Sequence, residues 1–193
     1  MIDIKVLKES GYIVIDDFVD KSYQNNIEAL LLNQEMPWYF YPTTSEDISG
    51  VKSNNHYEAP QFVHTFFDYF TKENSPHLNT ILNALKGLYK KTNIGKFKLL
   101  RVKSNLQLMR SNNTEKNFTY PHIDMEDEHF VLLYYVNDND GKTFLFNDDM
   151  SIKDTITPKK GRALLFNGNI KHASSHPINY ETRLVINYDL EIL

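Results

Sequence analysis

The residues with the clearest chemical potential lie in the second half of the chain. In Tyr120-Pro121-His122-Ile123-Asp124, the alternation of an extended backbone places His122 and Asp124 on one face, so both can reach the same ion. A His-x-Asp pair is common in loops and at strand ends, so a metal site needs a third ligand from elsewhere. The segment Phe166-Asn-Gly-Asn-Ile-Lys-His172 supplies a histidine 48 residues beyond Asp124, after a strand and a glycine turn. Two imidazoles and one carboxylate cover one face of an octahedral ion and leave three positions open, an arrangement suited to oxygen activation at Fe(II). A chelating cosubstrate can fill two of these and O2 the third, while the iron supplies electrons that side chains lack. If the chelator is 2-oxoglutarate, its far carboxylate needs a fixed cation. Arg183, eleven residues after His172, offers a permanently charged, bidentate fork. Tyr135 can add a hydroxyl to the same carboxylate. Taken singly, Arg183 reads as a surface charge and Tyr135 as core packing; the set carries the argument.

These groups need a scaffold. Gly11-Tyr-Ile-Val-Ile15 reads as a short buried strand, and Asp20 as the cap of a helix whose Tyr23, Ile27, Leu30 and Leu31 share a face. A turn-rich stretch from Met36 to Ala59 follows. Phe62, Val63, Phe66, Phe67 and Phe70 have the spacing of a second amphipathic helix. Ser75-Pro76 offers a cap and first-turn proline for a third, carrying Leu78, Ile81, Leu82, Leu85 and Leu88. From Phe97 the period shortens to that of strands: Phe97 to Lys103, Asn105 to Met109, His129 to Val136, Thr143 to Phe146, Arg162 to Phe166 and Thr182 to Leu190. Asn137-Asp-Asn-Asp-Gly141 and Pro158-Lys-Lys-Gly161 provide turns. Helices followed by many short strands predict an α+β domain built on a double-sheet barrel or jelly roll. Residues 1–193 read as one domain, about 1–95 a helix-rich support and 96–193 a β-rich catalytic core.

Composition narrows the function classes. The chain is rich in Phe and Tyr, 12 of each, and 41% apolar, which predicts a globular core rather than long disorder. Its 25 acidic and 21 basic side chains are interspersed, leaving no basic footprint for a nucleic-acid backbone. Without cysteine there is no disulfide framework, thiolate zinc site or cysteine nucleophile, so a metal must use His and carboxylate. The longest apolar run, Phe130 to Val136, is far short of the roughly 20 residues of a membrane-spanning helix. The polar start Met1-Ile2-Asp3-Ile4-Lys5 lacks a signal-peptide pattern. The expectation is a cytoplasmic protein without nucleic-acid or membrane partners.

Together these features resemble the prolyl-4-hydroxylase-like branch of the 2-oxoglutarate/Fe(II)-dependent dioxygenases. The resemblance runs from Tyr12-Ile-Val-Ile-Asp-Asp-Phe18 to Arg183-Leu-Val-Ile-Asn-Tyr-Asp189 and is strongest in the second half. His122-Ile-Asp124 is similar to the proximal metal motif of the family, Tyr134-Tyr-Val-Asn137 to its cosubstrate strand, and Gly141-Lys-Thr-Phe-Leu-Phe146 to the strand after its glycine turn. Pro158-Lys-Lys-Gly-Arg-Ala-Leu-Leu-Phe166 is similar to the strand leading to the distal histidine. The resemblance implies a double-stranded β-helix (jelly-roll, cupin-like) core with N-terminal supporting helices. It also implies Fe(II) held by His122, Asp124 and His172, and 2-oxoglutarate held by Arg183 and Tyr135. The activity implied is hydroxylation of a prolyl or other peptide side chain, or of a small molecule, with succinate and CO2 as co-products.

His176 competes with His172 for the distal position. The family places its basic residue ten or eleven positions after that histidine and a proline about four after it. Arg183 is eleven from His172 but seven from His176, and Pro177 is five from His172, a departure of one residue. His176, His129, His64, His56 and His77 read as surface or satisfied polar residues. Asn105, Gln107 and Met109 share a strand face that could touch cosubstrate or substrate. The aromatic Trp38-Tyr-Phe-Tyr-Pro42 loop could line an entrance, with packing over the sheet the simpler reading, and Glu126-Asp-Glu128 reads as solvated. Asp124 occupies the position that halogenating relatives leave free for halide. Val185 and Asp189 stand where nucleic-acid dealkylating relatives carry asparagine and arginine. Two alternatives remain: a non-catalytic metal- or ligand-binding jelly roll, opposed by the intact triad and Arg183, and a zinc hydrolase, for which no general base or oxyanion motif is present.

Overall fold

The computed structural model describes residues 4–44 and 56–193. The middle of the Met36–Ala59 stretch and the first three residues lie outside the described part. Helix α1 (Ile4–Ser10) ends at Gly11, whose φ of +82° is cheap only for glycine, and strand β1 (Tyr12–Ile15) follows. Asp20 caps α2 (Lys21–Leu31) as expected, its Oδ1 accepting from the Tyr23 N–H at 2.8 Å. Next come β2 (Tyr39–Tyr41), β3 (Gln61–Asp68), β4 (Glu73–Asn74), α3 (Leu78–Leu82) and α4 (Lys86–Lys91). The second half contributes β5 (Phe97–Leu108), β6 (Phe130–Tyr135), β7 (Thr143–Phe146), β8 (Ile152–Ile156), β9 (Ala163–Asn167), β10 (His172–Ser174) and β11 (Thr182–Ile192). No helix among the described residues is long and apolar enough to cross a membrane.

The strands form two antiparallel sheets facing each other in a jelly roll. The larger runs β1-β9-β6-β11-β5-β3-β2, with β4 on β3, and the smaller runs β10-β7-β8. In the larger sheet β6 and β11 are buried on both faces, and their alternation separates two jobs. Leu132 and Tyr134 of β6, with Leu184, Ile186 and Tyr188 of β11, pack against Ile27 and Leu31 of α2 and Ile81 and Leu88 beyond it. Val131, Leu133 and Tyr135, with Val185, turn the other way, toward Leu145 of the small sheet. Each fully buried aliphatic or aromatic side chain contributes about 1.5–3 kcal/mol, so the helix layer holds the sheet rigid from behind while the inner face is left for the site.

Two expectations about the first half require correction. Phe62, Val63, Phe66, Phe67 and Phe70 do not form a helix. Residues 61–68 are strand β3, paired with β5 through a bulge between Thr65 and Phe67. The bulge breaks strict alternation, producing a run of apolar residues that mimics helical spacing, while aromatic and β-branched residues favour the pleated surface. The helix over Leu78 to Leu88 is interrupted by a 3₁₀ turn at Asn83–Leu85 and starts after His77, which makes no side-chain cap bond, while Ser75 Oγ accepts from the His77 N–H at 3.3 Å. The first 95 residues are therefore not simply a helical support, because β1, β2, β3 and β4 all join the large sheet.

Candidate active site

An antiparallel bridge joins His122 and His172. The His122 N–H donates to the His172 carbonyl at 3.0 Å and the His172 N–H returns the bond at 2.9 Å, bringing the two rings to 4.6 Å between centroids. β10 extends this contact by pairing His172 with Leu145 of β7. His122 Nδ1–H donates to the Tyr120 carbonyl at 3.1 Å, and His172 Nδ1–H faces the Ile170 carbonyl at 3.4 Å. Each ring is thus fixed by a carbonyl two residues upstream, leaving Nε2 with its lone pair for a metal. Burial, then the neighbouring His172, pulls the His122 pKa down to about 4, so the ring is neutral near pH 7.

Asp124 completes the set. One ligand atom from each of His122, Asp124 and His172 lies within 4.8 Å of the others, and Asp124 Oδ2 is 3.3 Å from His172 Nε2. Its other oxygen, Oδ1, accepts from Lys103 Nζ and Arg101 Nη2, both at 2.9 Å. Arg101 is itself anchored by Asp189, Nε to Oδ2 at 2.7 Å. Desolvation pushes the Asp124 pKa upward, but Lys103, His172 and Arg101 together hold it well below the usual carboxylate range. The donor set therefore fits a divalent ion: two imidazole nitrogens and one ionised carboxylate whose far oxygen is already engaged.

The same cavity that His122 and His172 line also receives Arg183. Arg183 is 2% exposed, and its donors reach Gly141 O at 2.9 Å, Gln107 Oε1 at 3.2 Å and Thr143 Oγ1 at 2.9 Å. All three acceptors are neutral. Burial alone pulls its pKa down, opposed only by the Tyr135 and Tyr57 hydroxyls. A buried guanidinium without a carboxylate is costly, and an anionic ligand entering the cavity removes that cost. Gly141 makes room for it: a Cβ there would fall 2.5 Å from Ser175 O and 2.7 Å from Arg183 Cδ.

The structure thus brings His122, Asp124, His172 and Arg183 around one cavity and sets Tyr135 one layer behind. The Tyr135 hydroxyl donates to Thr143 Oγ1 at 2.7 Å, and its ring lies under the Arg183 guanidinium at 5.9 Å. His176 is excluded from the cluster. It is buried, its Nδ1–H donates to Leu108 O at 2.8 Å, and it packs on Tyr57. His64 is a satisfied core residue between Pro37 O and Ser75 Oγ, and His129, also buried, stacks over Gly168. Neither His129 nor His176 is a surface residue, because each fills a site where the backbone closes on the ring. His56 packs on Tyr120 and His77 approaches His64. Glu126, Asp127 and Glu128 are exposed, as expected. Trp38 packs on the core with its indole N–H toward Leu31 O, while Tyr39, Phe40 and Tyr41 stay exposed on β2.

Sequence reasoning stopped at Asn105 and Gln107 and missed Arg101, Lys103, Thr143, Asn187 and Asp189. The signal was available: β5 alternation carried back two and four residues from Asn105 reaches Lys103 and Arg101. The register pairs Gln107 with Arg183, Asn105 with Val185, Lys103 with Asn187 and Arg101 with Asp189. Met109 lies beyond the strand and is exposed.

Residues 106–188 match the model of the 2OG-Fe(II) oxygenase superfamily, a span that includes His122, Asp124, Tyr135, His172 and Arg183. No curated protein matches the sequence. Among solved structures, a 2OG-Fe(II) oxygenase family oxidoreductase from Burkholderia pseudomallei superimposes with a TM-score of 0.71 at 18% identity, covering 98% of this chain and 89% of that one. A Pseudomonas putida prolyl-4-hydroxylase gives 0.64 at 15% identity, covering 98% and 97%. A Trichoplax adhaerens prolyl hydroxylase in complex with a hypoxia inducible factor oxygen degradation domain peptide gives 0.63 at 16%, covering 98% and 87%. Residues 106–188, the segment that carries the site, thus match the 2OG-Fe(II) oxygenase superfamily, in a fold that is similar to 2OG-Fe(II) oxygenases and prolyl hydroxylases along nearly the whole chain.

Proposed function

We propose that His122, Asp124 and His172 hold Fe(II), that Arg183 binds the far carboxylate of 2-oxoglutarate, and that the enzyme hydroxylates a prolyl or other peptide side chain or a small molecule. The observation that carries this reading is that His122 and His172 of the three-ligand cluster share a cavity with a buried guanidinium that has no carboxylate partner among the described residues. Bound Fe(II) and 2-oxoglutarate supply the oxidising power: O2 places one atom in succinate, formed with CO2, and the other in the substrate C–H bond.

The protein's own residues bind, orient and exclude water. Lys103 and Arg101 occupy Asp124 Oδ1 and so present Oδ2 to the metal. Arg183 and Thr143 set the far end of the cosubstrate, with Tyr135 holding Thr143 from behind. Val131, Leu133, Phe166 and Val185 give the cavity an apolar lining that limits water at the reacting centre. The peptide-bound prolyl hydroxylase among the structural neighbours favours a prolyl or peptidyl substrate.

The test is oxygen consumption with iron-loaded protein, with succinate release screened against a panel of peptides and metabolites. Coupled O2 uptake and succinate formation that disappear in His172→Ala support the reading. Iron-loaded protein that never consumes 2-oxoglutarate with any panel member rejects it.

A further inference from the structure

The cavity holds a second polar region that the metal ligands and Arg183 do not explain. Thr44 Oγ1, Asn105 Oδ1 and Asn187 Oδ1 are all buried without a hydrogen-bond partner among the described residues, and all three residues line the cavity. Asn187 is 4% exposed. Its Nδ2–H donates to Asp124 Oδ2 at 3.4 Å, which turns Oδ1 away from Asp124 as an acceptor. Asn105 lies opposite Val185, and Asn187 opposite Lys103, so the two asparagines are diagonal neighbours on one face of the β5–β11 pair.

A buried acceptor left unpaired costs free energy, so the cavity is built for a donor at this point. 2-Oxoglutarate cannot be that donor: two carboxylates and a ketone present acceptors only. On the Asn187 side, Thr44, Gln61 and Lys103 are shared with an adjoining cleft lined by Tyr41, Thr43 and Thr65. Most of the residues lining that cleft are polar, and β2, which contributes Tyr41 to it, pairs only with β3 among the described strands.

We propose that Asn187 and Asn105 form the primary-substrate subsite and that they recognise an amide N–H, so the substrate is peptide-like. This inference rests on the metal-centre reading above and adds the substrate class. Asn187 stands beside Asp124, so the donor it holds lies next to the carbon presented for oxidation. A hydrocarbon or acyl-chain substrate would leave both carbonyl oxygens unpaired.

The experiment uses small amide probes and the full chain loaded with Mn(II) and 2-oxoglutarate. Metal stoichiometry and 2-oxoglutarate affinity are measured first, in the same samples. Paramagnetic relaxation of the probe methyl protons then reports binding near the metal. N-Methylacetamide carries one N–H; N,N-dimethylacetamide is its counterpart without a donor. The parent protein should bind N-methylacetamide about tenfold more tightly than the dimethyl compound. In Asn187→Leu that preference should vanish in samples whose metal loading is measured alongside, because Asn187 also donates to Asp124 Oδ2; in Asn105→Val, metal loading and 2-oxoglutarate affinity should stay within about twofold. Asn105→Val serves as the second variant should Asn187→Leu fail to fold, and should reduce the preference severalfold. Equal relaxation of the two amides in the parent, or a preference that survives both substitutions, overturns the subsite. Ethanol matching N-methylacetamide overturns the amide assignment in favour of a hydroxyl donor. Absence of metal loading in the parent refutes the metal-centre reading itself, whereas loaded protein without donor preference refutes only the subsite.

Discussion

Replacing Arg183 with methionine should separate cosubstrate binding from folding. In the ligand-free protein the guanidinium makes three hydrogen bonds to neutral acceptors and has no carboxylate partner among the described residues to offset its burial. Charged hydrogen bonds contribute about 1.5–3 kcal/mol each, and an uncompensated buried charge costs several kcal/mol. The two nearly cancel, so Arg183→Met should change ligand-free stability by no more than about 2 kcal/mol. Binding is different. Losing one partner of a buried, hydrogen-bonded charge pair costs about 3 kcal/mol, about a hundredfold in affinity. At a 2-oxoglutarate concentration of 100 times the parent Kd, the parent gains about 2.7 kcal/mol and the variant, then at its own Kd, about 0.4 kcal/mol. For a chain of this size, that is an upward Tm shift of about 5–10 °C against about 1–2 °C. Thermal melts with a redox-inert metal in the site, checked by anaerobic titration calorimetry, measure both quantities. Arg183→Lys should restore only part of the shift, because a point charge cannot reproduce the planar fork. An undiminished shift in Arg183→Met would refute the assignment of this residue to the carboxylate.

Four further outcomes follow from the geometry. Alanine at His122, Asp124 or His172 should abolish stoichiometric Fe(II) binding by equilibrium dialysis, whereas His176→Ala should retain it, since its ring faces Leu108 O and not the cluster. Gly141→Ala should weaken 2-oxoglutarate binding without loss of iron, because the added methyl meets Ser175 O and Arg183 Cδ below 3 Å; unchanged calorimetric affinity would contradict this. Tyr135→Phe removes one neutral donor to Thr143, worth about 1 kcal/mol, so 2-oxoglutarate affinity should fall only severalfold. The metal-free protein should lose stability as pH falls from about 6.5 toward about 4, because burial holds the His176 pKa at about 4 while the unfolded chain takes up the proton near 6.5. The gap is worth about 3 kcal/mol. Urea titrations of the parent and His176→Gln at pH 7 and pH 5 should show a shallower fall in the variant.

Most strands of the second half were legible because each is an apolar or alternating run bounded by turn residues, although the two runs expected at Phe97–Lys103 and Asn105–Met109 form one continuous strand, β5. Thr143–Phe146 appears with its expected ends, and the other strand expectations fall within a few residues of β5, β6, β9 and β11. Asp20 was legible as a cap because a carboxylate before a helix has a specific use for its oxygen. Less legible was anything defined by pairing rather than pattern. β3 was hidden by its bulge, β2 shows three exposed aromatic side chains with no alternation, and β8 carries Lys153 and Asp154 among its few apolar residues. An edge strand is made by its neighbour, and a single sequence does not display the neighbour.

The site divides in the same way. His122, Asp124 and His172 could be read from the sequence because metal chemistry demands particular atoms, and few histidines meet the spacing. Arg101, Lys103, Asn187 and Asp189 could not, since each acquires its meaning only through cross-strand register. Arg101 faces Asp189 on β11, which leaves its outer nitrogen for Asp124, while Lys103 reaches the same oxygen from two residues along β5. The four charges close on themselves, two cations against two carboxylates, and neutralise the region around Asp124. Arg183, on the same face of β11 and six residues from Asp189, has no carboxylate partner among the described residues. One strand pair thus carries a cationic clamp that is internally balanced around Asp124 and another cation left unbalanced at the far end. On the proposed reading, that unbalanced charge would set the direction of a dianionic cosubstrate, with its far carboxylate at Arg183 and its other end toward the ligand cluster.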